Sequence, residues 1–185
     1  MRRVQYNSPV VLTFALLSLA VLGLDFATGG WTTNLFFCVY RAPLTDPLTY
    51  VRMVGHVLGH GSYAHNLGNM MLLLVIGPPL EEKYGSSQLL VFILVTAVIS
   101  GLVQMFLFPG SALLGASGIV FMMILLSSLS GMRSGTIPLT LILVAALYLG
   151  GELVDAVTLR DNVSQLTHIV GGVCGAGLGL LMRKS

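Results

Sequence analysis

Six long apolar runs dominate this chain and constrain its fold more than any other feature. They cover residues 9–27, 64–80, 89–108, 116–129, 137–154 and 163–182. A bilayer core is crossed by a helix of about 20 apolar residues, and little chain is left between the runs. Charged residues make up only 9% of the 185 residues, and the mean hydropathy is +0.90. We therefore predict an all-α polytopic membrane protein with six transmembrane helices in a single domain.

The distribution of basic residues predicts the orientation of these helices. With six spans, both termini lie on one side of the membrane. The terminal side carries Arg2, Arg3, Lys83, Arg133, Arg183 and Lys184, and the opposite side carries Arg41, Arg52 and Arg160. Because basic residues are enriched on the cytoplasmic side, we expect cytoplasmic termini and an outward-facing, structured first loop over residues 29–61.

Composition also limits the classes of function that the chain can have. The apolar runs and the connections between them take up nearly all of its length and leave no module for binding nucleic acid. The formal net charge of +2 therefore indicates no acidic partner, and the lipid bilayer is the expected surrounding. The two cysteines, Cys38 and Cys174, do not form the pattern of a disulfide framework. We expect no metal and no other cofactor.

One serine stands between small residues at the start of an apolar run, in the segment Gly115-Ala116-Ser117-Gly118. Flanking glycines let the backbone bend tightly and leave the hydroxyl accessible, which is what a serine nucleophile needs. Small residues are also enriched where membrane helices pack closely. By itself, the segment therefore fits either a nucleophilic turn or a helix contact.

Polar side chains within the apolar runs indicate function, because burying them in lipid is costly. His65 and Asn69 are four residues apart and share one face of the second predicted helix. Gln104, near the end of the third predicted helix, is a further candidate. We expect these side chains to line a polar cavity that opens outward.

His168 lies early in the last apolar run and shares its helix face with Gly171, Gly172 and Gly175. A glycine face lets another helix approach closely, and the helix that begins near Ser117 is the natural partner. In the predicted topology, Ser117 and His168 both lie near the outward ends of their helices, so a hydrogen bond between them is possible. A buried imidazole bonded to a backbone carbonyl is the alternative.

Together, these motifs resemble the rhomboid family of intramembrane serine proteases, in the six-helix form found in bacteria. The matching motifs are HxxxHxxxxHxxxN at His56, His60, His65 and Asn69, GxSG at 115–118, and a histidine-glycine helix at His168, Gly171 and Gly175. They occur in the family's order and spacing. The resemblance extends from about residue 50 to the C-terminus.

The resemblance implies a catalytic dyad within one rhomboid membrane domain over residues 1–185. Ser117 would be the nucleophile and His168 the general base. His65 and Asn69, with the backbone N–H of Ser117, would form the oxyanion hole. Structural roles are implied for six further residues: Arg52, His56, His60, Glu81, Gly171 and Gly175.

Two positions depart from the family's pattern. Val51 precedes Arg52 where the family typically has tryptophan, so that aromatic anchor is lost. Phe121, four residues after Ser117, replaces the tyrosine that commonly lies under the catalytic histidine. A phenylalanine ring can still stack on His168, but it lacks the hydroxyl group.

The implied function is that of a serine endopeptidase acting within, or at the edge of, the transmembrane helices of its protein substrates. We expect an integral protein of the bacterial inner membrane with an outward-opening site, and the oligomeric state stays open. A pseudoprotease that binds transmembrane helices without cleaving them is the main alternative. A metalloprotease built on His56 and His60 is disfavoured, because the residues between them lack the glutamate of an HExxH motif.

Overall fold

A computed structural model describes residues 5–130 and 162–182, together with the isolated positions Leu139, Ile142, Leu143 and Ala146. The fifth predicted span, 137–154, therefore lies almost wholly outside the described residues. Most of the basic residues that predict the orientation also lie outside them. The span count of six and the side of the termini accordingly stay predictions.

Seven helices and one short ribbon make up the described part of the chain. The helices are α1 (Pro9–Thr28), α2 (Trp31–Phe36), α3 (Pro47–Gly55), α4 (Tyr63–Tyr84), α5 (Ser86–Leu107), α6 (Ser117–Ser130) and α7 (Asn162–Met182). A 3-10 turn, His56–Leu58, follows α3, and β1 (Val39–Tyr40) pairs antiparallel with β2 (Ala112–Leu113). The prediction of a mainly helical protein is confirmed.

Two of the described helices, α1 and α5, are long and apolar enough to cross a membrane. The apolar parts of α6 and α7, Ser117–Leu129 and Ile169–Gly179, are shorter. α4 matches the others in length, but polar residues in its first and last turns lower its hydropathy. Length and composition thus support membrane insertion most directly for α1 and α5.

The last turn of α4 is joined to the start of α1. Glu81 accepts hydrogen bonds from the backbone N–H groups of Val10 and Val11 at 2.9 and 3.0 Å, and from the Ser86 hydroxyl at 2.7 Å. The first N–H groups of a helix have no partner within it, so the carboxylate satisfies them and complements the helix dipole. This contact explains why α4 continues to Tyr84, past the apolar run predicted to end at residue 80.

Arg52 holds together the segment between α1 and α4. Its Nε donates to the carbonyl of Leu35 at 2.9 Å, its Nη1 pairs with Asp46 at 3.1 Å, and its guanidinium lies 4.7 Å from the ring centroid of Tyr40. A buried cation requires such partners. Arg52 therefore fastens α3 to α2 and β1.

α6 forms the centre of the described bundle. Every side chain from Ile119 to Ile124 is at most 4% exposed. Its helical neighbours are α4, α5 and α7. A helix that is apolar on all its faces belongs in the interior, so its first residue, Ser117, lies at one end of the core.

α6 and α7 run in the same direction and approach one another through glycines. A Cβ atom added at Gly171 would collide with the carbonyl oxygen of Gly118, and one added at Gly175 would collide with that of Met122. Both helices advance by four residues between these contacts, so they are parallel. Backbones this close leave no room for side chains at either glycine.

Candidate active site

The chain before Ser117 is held at two points. Its strand β2 pairs with β1, and the backbone N–H of Gly115 donates to the carbonyl of His56 at 2.9 Å. Gly115 has a φ of +124°, which residues with side chains rarely adopt. A Cβ atom there would also lie 2.9 Å from Cε1 of His65. The backbone conformation and the neighbouring imidazole therefore both require glycine at this position.

Ser117 is the first residue of α6 and is half-buried. The preceding residue, Ala116, donates its N–H to Nε2 of His60 at 3.3 Å and accepts the N–H of Val120 at 2.9 Å. Backbone N–H groups at the start of a helix have no acceptor within it, so that of Ser117 is free of the helix ladder. A hydroxyl and a backbone donor thus lie together at the end of the core.

His60 connects this turn to α1 and α4. Because Nε2 accepts the N–H of Ala116, it carries no proton, and Nδ1 is the protonated nitrogen. Nδ1 lies 3.2 Å from the carbonyl of Leu58 and 3.2 Å from the hydroxyl of Ser18, which is in α1. The amide of Asn69 in α4 donates to Nε2 at 3.2 Å. Nε2 of the imidazole therefore meets two donors, whereas Nδ1 has the acceptors of Leu58 and Ser18 beside it together with the amide nitrogen of Asn66, which also lies 3.2 Å away.

His65 and Asn69 lie one helical turn apart at the start of α4. The hydroxyl of Ser62 caps this helix by accepting the N–H of His65 at 3.2 Å. The exposed ring of His65 packs edge-to-face on His60, with 4.9 Å between ring centroids. Asn69 is buried and reaches the same imidazole. Both residues thus adjoin His60 and the turn before Ser117.

His56 is buried beneath the same turn. Its Nε2 donates to the carbonyl of Ala97 in α5 at 3.1 Å. Its own carbonyl accepts the N–H groups of Gly59 and Gly115 at 3.2 and 2.9 Å. His56 therefore links α5 to the chain that leads into α6.

Both of these first-loop histidines are neutral near pH 7. Burial lowers the pKa of His56 to about 4, against a smaller opposing effect of its bond to the Ala97 carbonyl. Burial also lowers the pKa of His60 to about 4, and the nearby His65 adds to this effect while the bond to Leu58 opposes it. Desolvation penalises the charged imidazole in each case.

The backbone of α7 brings His168 to the level of this site. Gly171, one turn later in α7, packs on Gly118, which follows Ser117. Because α6 and α7 are parallel, the turn of α7 that contains His168 lies beside the start of α6. The side chain of His168 is outside the described part of the structure, so its hydrogen bond to Ser117 stays a prediction.

Phe121 is buried between α6 and α7. A Cβ atom added at Gly172 would lie 2.6 Å from Cε1 of the Phe121 ring. The ring therefore fills the groove that this glycine leaves on α7. Gly172 follows His168 by one helical turn, so the ring lies close to the position from which the imidazole extends. Stacking of the two rings stays a prediction.

The sequence matches the Rhomboid domain family over residues 47–185. The chain belongs to the rhomboid family. The matched part includes α4 to α7 and the turn that leads into Ser117. The resemblance inferred from the three motifs is therefore confirmed at the level of the family.

Two curated bacterial relatives are similar to this rhomboid. Rhomboid protease GlpG of Serratia proteamaculans (strain 568) is 33% identical over 157 residues, which cover 83% of this chain and 54% of the relative. Rhomboid protease GlpG of Yersinia pestis (strain Pestoides F) is 29% identical over 178 residues, which cover 94% of this chain and 61% of the relative. The chain thus spans less than two thirds of the length of either relative.

Two residues of the rhomboid site are absent from the motifs that the sequence suggested. Asn66 is fully buried and donates to the hydroxyl of Ser18 at 2.7 Å. Ser18, also fully buried, donates in turn to the carbonyl of Leu58 at 3.2 Å. Each is a polar residue within an apolar run of the sequence, and this polarity could have identified both as candidates.

Gln104 does not face an open cavity. It is 1% exposed, and its amide donates to the hydroxyl of Ser111 at 3.0 Å and to the carbonyl of Phe108 at 3.3 Å. Its side chain therefore closes the turn that follows α5. The expectation that Gln104 lines the cavity is wrong, because nearby backbone and hydroxyl groups satisfy its amide.

His56 bonds to the Ala97 carbonyl, and His60 bonds to the backbone and side-chain groups around the turn before Ser117, so the two imidazoles have separate partners. Among the residues that the structure describes, no group of three His, Cys, Asp or Glu side chains could hold a metal ion. Cys38 and Cys174 are buried free thiols. The polar side chains that the structure describes around this turn include a serine, imidazoles and amides.

Proposed function

We propose that this rhomboid is an intramembrane serine endopeptidase that hydrolyses peptide bonds within, or at the edge of, substrate transmembrane helices. Ser117 is the nucleophile, and His168 is the general base that takes its proton and later protonates the leaving amine. The observation that carries the proposal is the contact of Gly171 with Gly118, since it sets the helix of His168 beside Ser117. The names of the curated relatives, both rhomboid proteases, support the same class of reaction.

The backbone N–H of Ser117, His65 and Asn69 form the proposed oxyanion hole. The packing of the His65 imidazole against Gly115 supports this assignment. Asn69 donates one N–H to His60, which leaves its second N–H for an oxyanion. Removing one such donor costs about 10²- to 10³-fold in rate.

The proposal includes six spans, cytoplasmic termini and a site that opens to the outside of a bacterial inner membrane. The parallel direction of α6 and α7 supports the span count. The chain must cross the membrane once more between the end of α6 and the start of α7, because the two helices begin on the same side. The long apolar helices α1 and α5 support the membrane setting. Transmembrane protein substrates are the partners that such a site would receive.

Cleavage of a transmembrane substrate reconstituted with the protein tests this function. Ser117→Ala and His168→Ala should each lower turnover by about 10⁴-fold or more, because each removes half of the dyad. Ser87→Ala is the matched control, since Ser87 is exposed at the start of α5, at the other end of the bundle. It should retain the turnover of the wild type. Unchanged turnover in Ser117→Ala would exclude the serine mechanism.

A fluorophosphonate probe separates the peptidase from a pseudoprotease that only binds helices. Labelling should require both Ser117 and His168, because the probe reacts with an activated serine. Folded protein that takes up no label would favour the pseudoprotease. Inhibition by a chelator, together with indifference to serine-reactive inhibitors, would instead indicate a metalloprotease.

A further inference from the structure

A cavity of about 450 Å³ lies at the end of the bundle opposite Ser117. The start of α1, the last turn of α4 and the start of α5 line it, and it is open on one side. Carboxylates and hydroxyls line one part of it, from Glu81, Glu82, Ser8 and Ser86, and three proline rings line another. Its volume lies in the range of sites for small organic groups, which is about 300–1,000 Å³.

The position of this cavity sets its depth in a bilayer. Pro9 and Ser86, which line it, are the first residues of α1 and α5. These are the two described helices that are long and apolar enough to cross a membrane. A cavity at the ends of two such helices lies at the boundary between hydrocarbon and water, where lipid headgroups reside.

The polar groups of the cavity include a hydroxyl without a partner. Ser8 is 3% exposed, and its side chain makes no hydrogen bond with any residue that the structure describes. Ser8 lines the cavity, so its hydroxyl is open to a hydrogen bond with a group that enters there. Glu81 already accepts three hydrogen bonds, whereas the adjacent carboxylate of Glu82 is exposed. The site therefore combines negative charge with unused acceptors.

We propose that this cavity binds the primary ammonium group of a phospholipid headgroup. An ammonium group would donate hydrogen bonds to Ser8 and Glu82, and the proline rings would contact the methylene groups next to it. A metal ion fits less well, because no third His, Cys, Asp or Glu among the described residues completes a set of ligands. A quaternary ammonium group also fits less well, since it has no N–H to donate.

Native mass spectrometry of the full chain released from mixed nanodiscs tests the proposal. The nanodiscs contain equal amounts of phosphatidylethanolamine and phosphatidylcholine with identical acyl chains. The wild type should retain phosphatidylethanolamine about fivefold in preference, the factor that one hydrogen bond contributes. Ser8→Ala removes a hydroxyl that can accept a hydrogen bond, and Glu82→Gln removes the negative charge, so each should reduce this preference towards one.

Two controls match these variants in chemistry. Ser87→Ala removes a hydroxyl next to the cavity, and Asp25→Asn removes a carboxylate near the end of α1, so both should retain the preference. Millimolar ethanolamine separates a lipid from a soluble amine as the ligand. Persistence of the lipid adduct supports the proposal, whereas its displacement identifies a free amine and overturns the assignment to lipid. Equal retention of the two lipids by the wild type would also overturn it.

Discussion

At the scale of single residues, the imidazole of His60 positions the turn before Ser117. It accepts the N–H of Ala116 and the amide of Asn69 on one nitrogen, and it faces the carbonyl of Leu58 with the other. A buried donor that loses its acceptor costs about 1–3 kcal/mol. Residue 60 must therefore present an acceptor to Ala116, which a neutral imidazole with a fixed tautomer does.

Replacing His60 with leucine tests this role. We expect His60→Leu to lower the free energy of unfolding by about 1–3 kcal/mol, because the N–H of Ala116 loses its acceptor. The displaced turn should lower substrate turnover at least about tenfold. Thermal unfolding in detergent and cleavage assays measure the two effects. His60→Gln keeps an acceptor and should retain more of the stability and of the turnover. A His60→Leu variant as stable as the wild type would contradict the positioning role of His60.

The lowered pKa values of His56 and His60 predict sensitivity to acid. Both are about 4 in the folded protein against an ordinary value of 6.5, so between these values the unfolded chain binds more protons. The stability that the neutral imidazoles contribute is present above pH 6.5 and is lost as the pH falls towards 4. The melting temperature in detergent should accordingly fall below pH 6.5. A constant melting temperature across this range would disprove the prediction.

At the scale of elements, the pair α6 and α7 depends on backbone contact. Gly171 and Gly175 face carbonyl oxygens of α6, whereas no atom of the described residues lies within 4 Å of a Cβ added at Gly177, on the same helix. Glycines within one helix therefore differ in what they do. Two of them set the distance between the helices, and the third is open to a side chain.

This difference predicts opposite effects of alanine along α7. Gly171→Ala should push α7 away from α6, which costs about 1–3 kcal/mol of stability as overpacking does. It should also lower turnover at least about tenfold, since His168 is one turn away. Gly177→Ala is the matched control and should leave both properties unchanged or raise the stability slightly. Thermal unfolding measures the stability of the two variants, and cleavage assays measure their turnover. Equal stability and turnover of Gly171→Ala and Gly177→Ala would contradict this packing.

At the scale of the whole molecule, polar contacts tie the bundle together at both ends. The turn before Ser117 and the first-loop histidines join α1, α4, α5 and α6 at one end. Glu81 joins α1, α4 and α5 at the other end. The apolar centre of α6 lies between them. Loss of either polar cluster should therefore affect the stability of the whole bundle.

Glu81→Ala tests the contribution of the end opposite Ser117. Val10 and Val11 would lose a charged acceptor, and hydrogen bonds to charged groups contribute about 1.5–3 kcal/mol each. We expect a loss of stability in about that range, measured by unfolding in lipid-free detergent. Glu82→Gln alters an adjacent exposed carboxylate and should leave the stability unchanged. A Glu81→Ala variant that unfolds with the wild type would show that this contact is dispensable.

The bounds of several helices could be predicted from the sequence, whereas the contacts between their polar side chains could not. The apolar runs 9–27, 116–129 and 163–182 come within one residue of the bounds of α1, α6 and α7. α4 extends beyond its run because Glu81 finds partners on α1, which hydropathy does not register. Gln104 was assigned to the cavity because polarity in a span suggests function, yet local groups satisfy it.

The sequence by itself determined the helical class, the approximate positions of the long described helices and the family, because apolar length and motif spacing are local properties of the chain. Only the tertiary structure decided which polar groups meet. Ser18 meets His60 across 42 residues, and Ala116 meets it across 56. No periodicity encodes such pairs, because they arise when helices pack and every buried donor must find an acceptor. The same packing explains why Gly171 meets Gly118 while Gly177 meets no side chain or backbone atom in the described part of the chain.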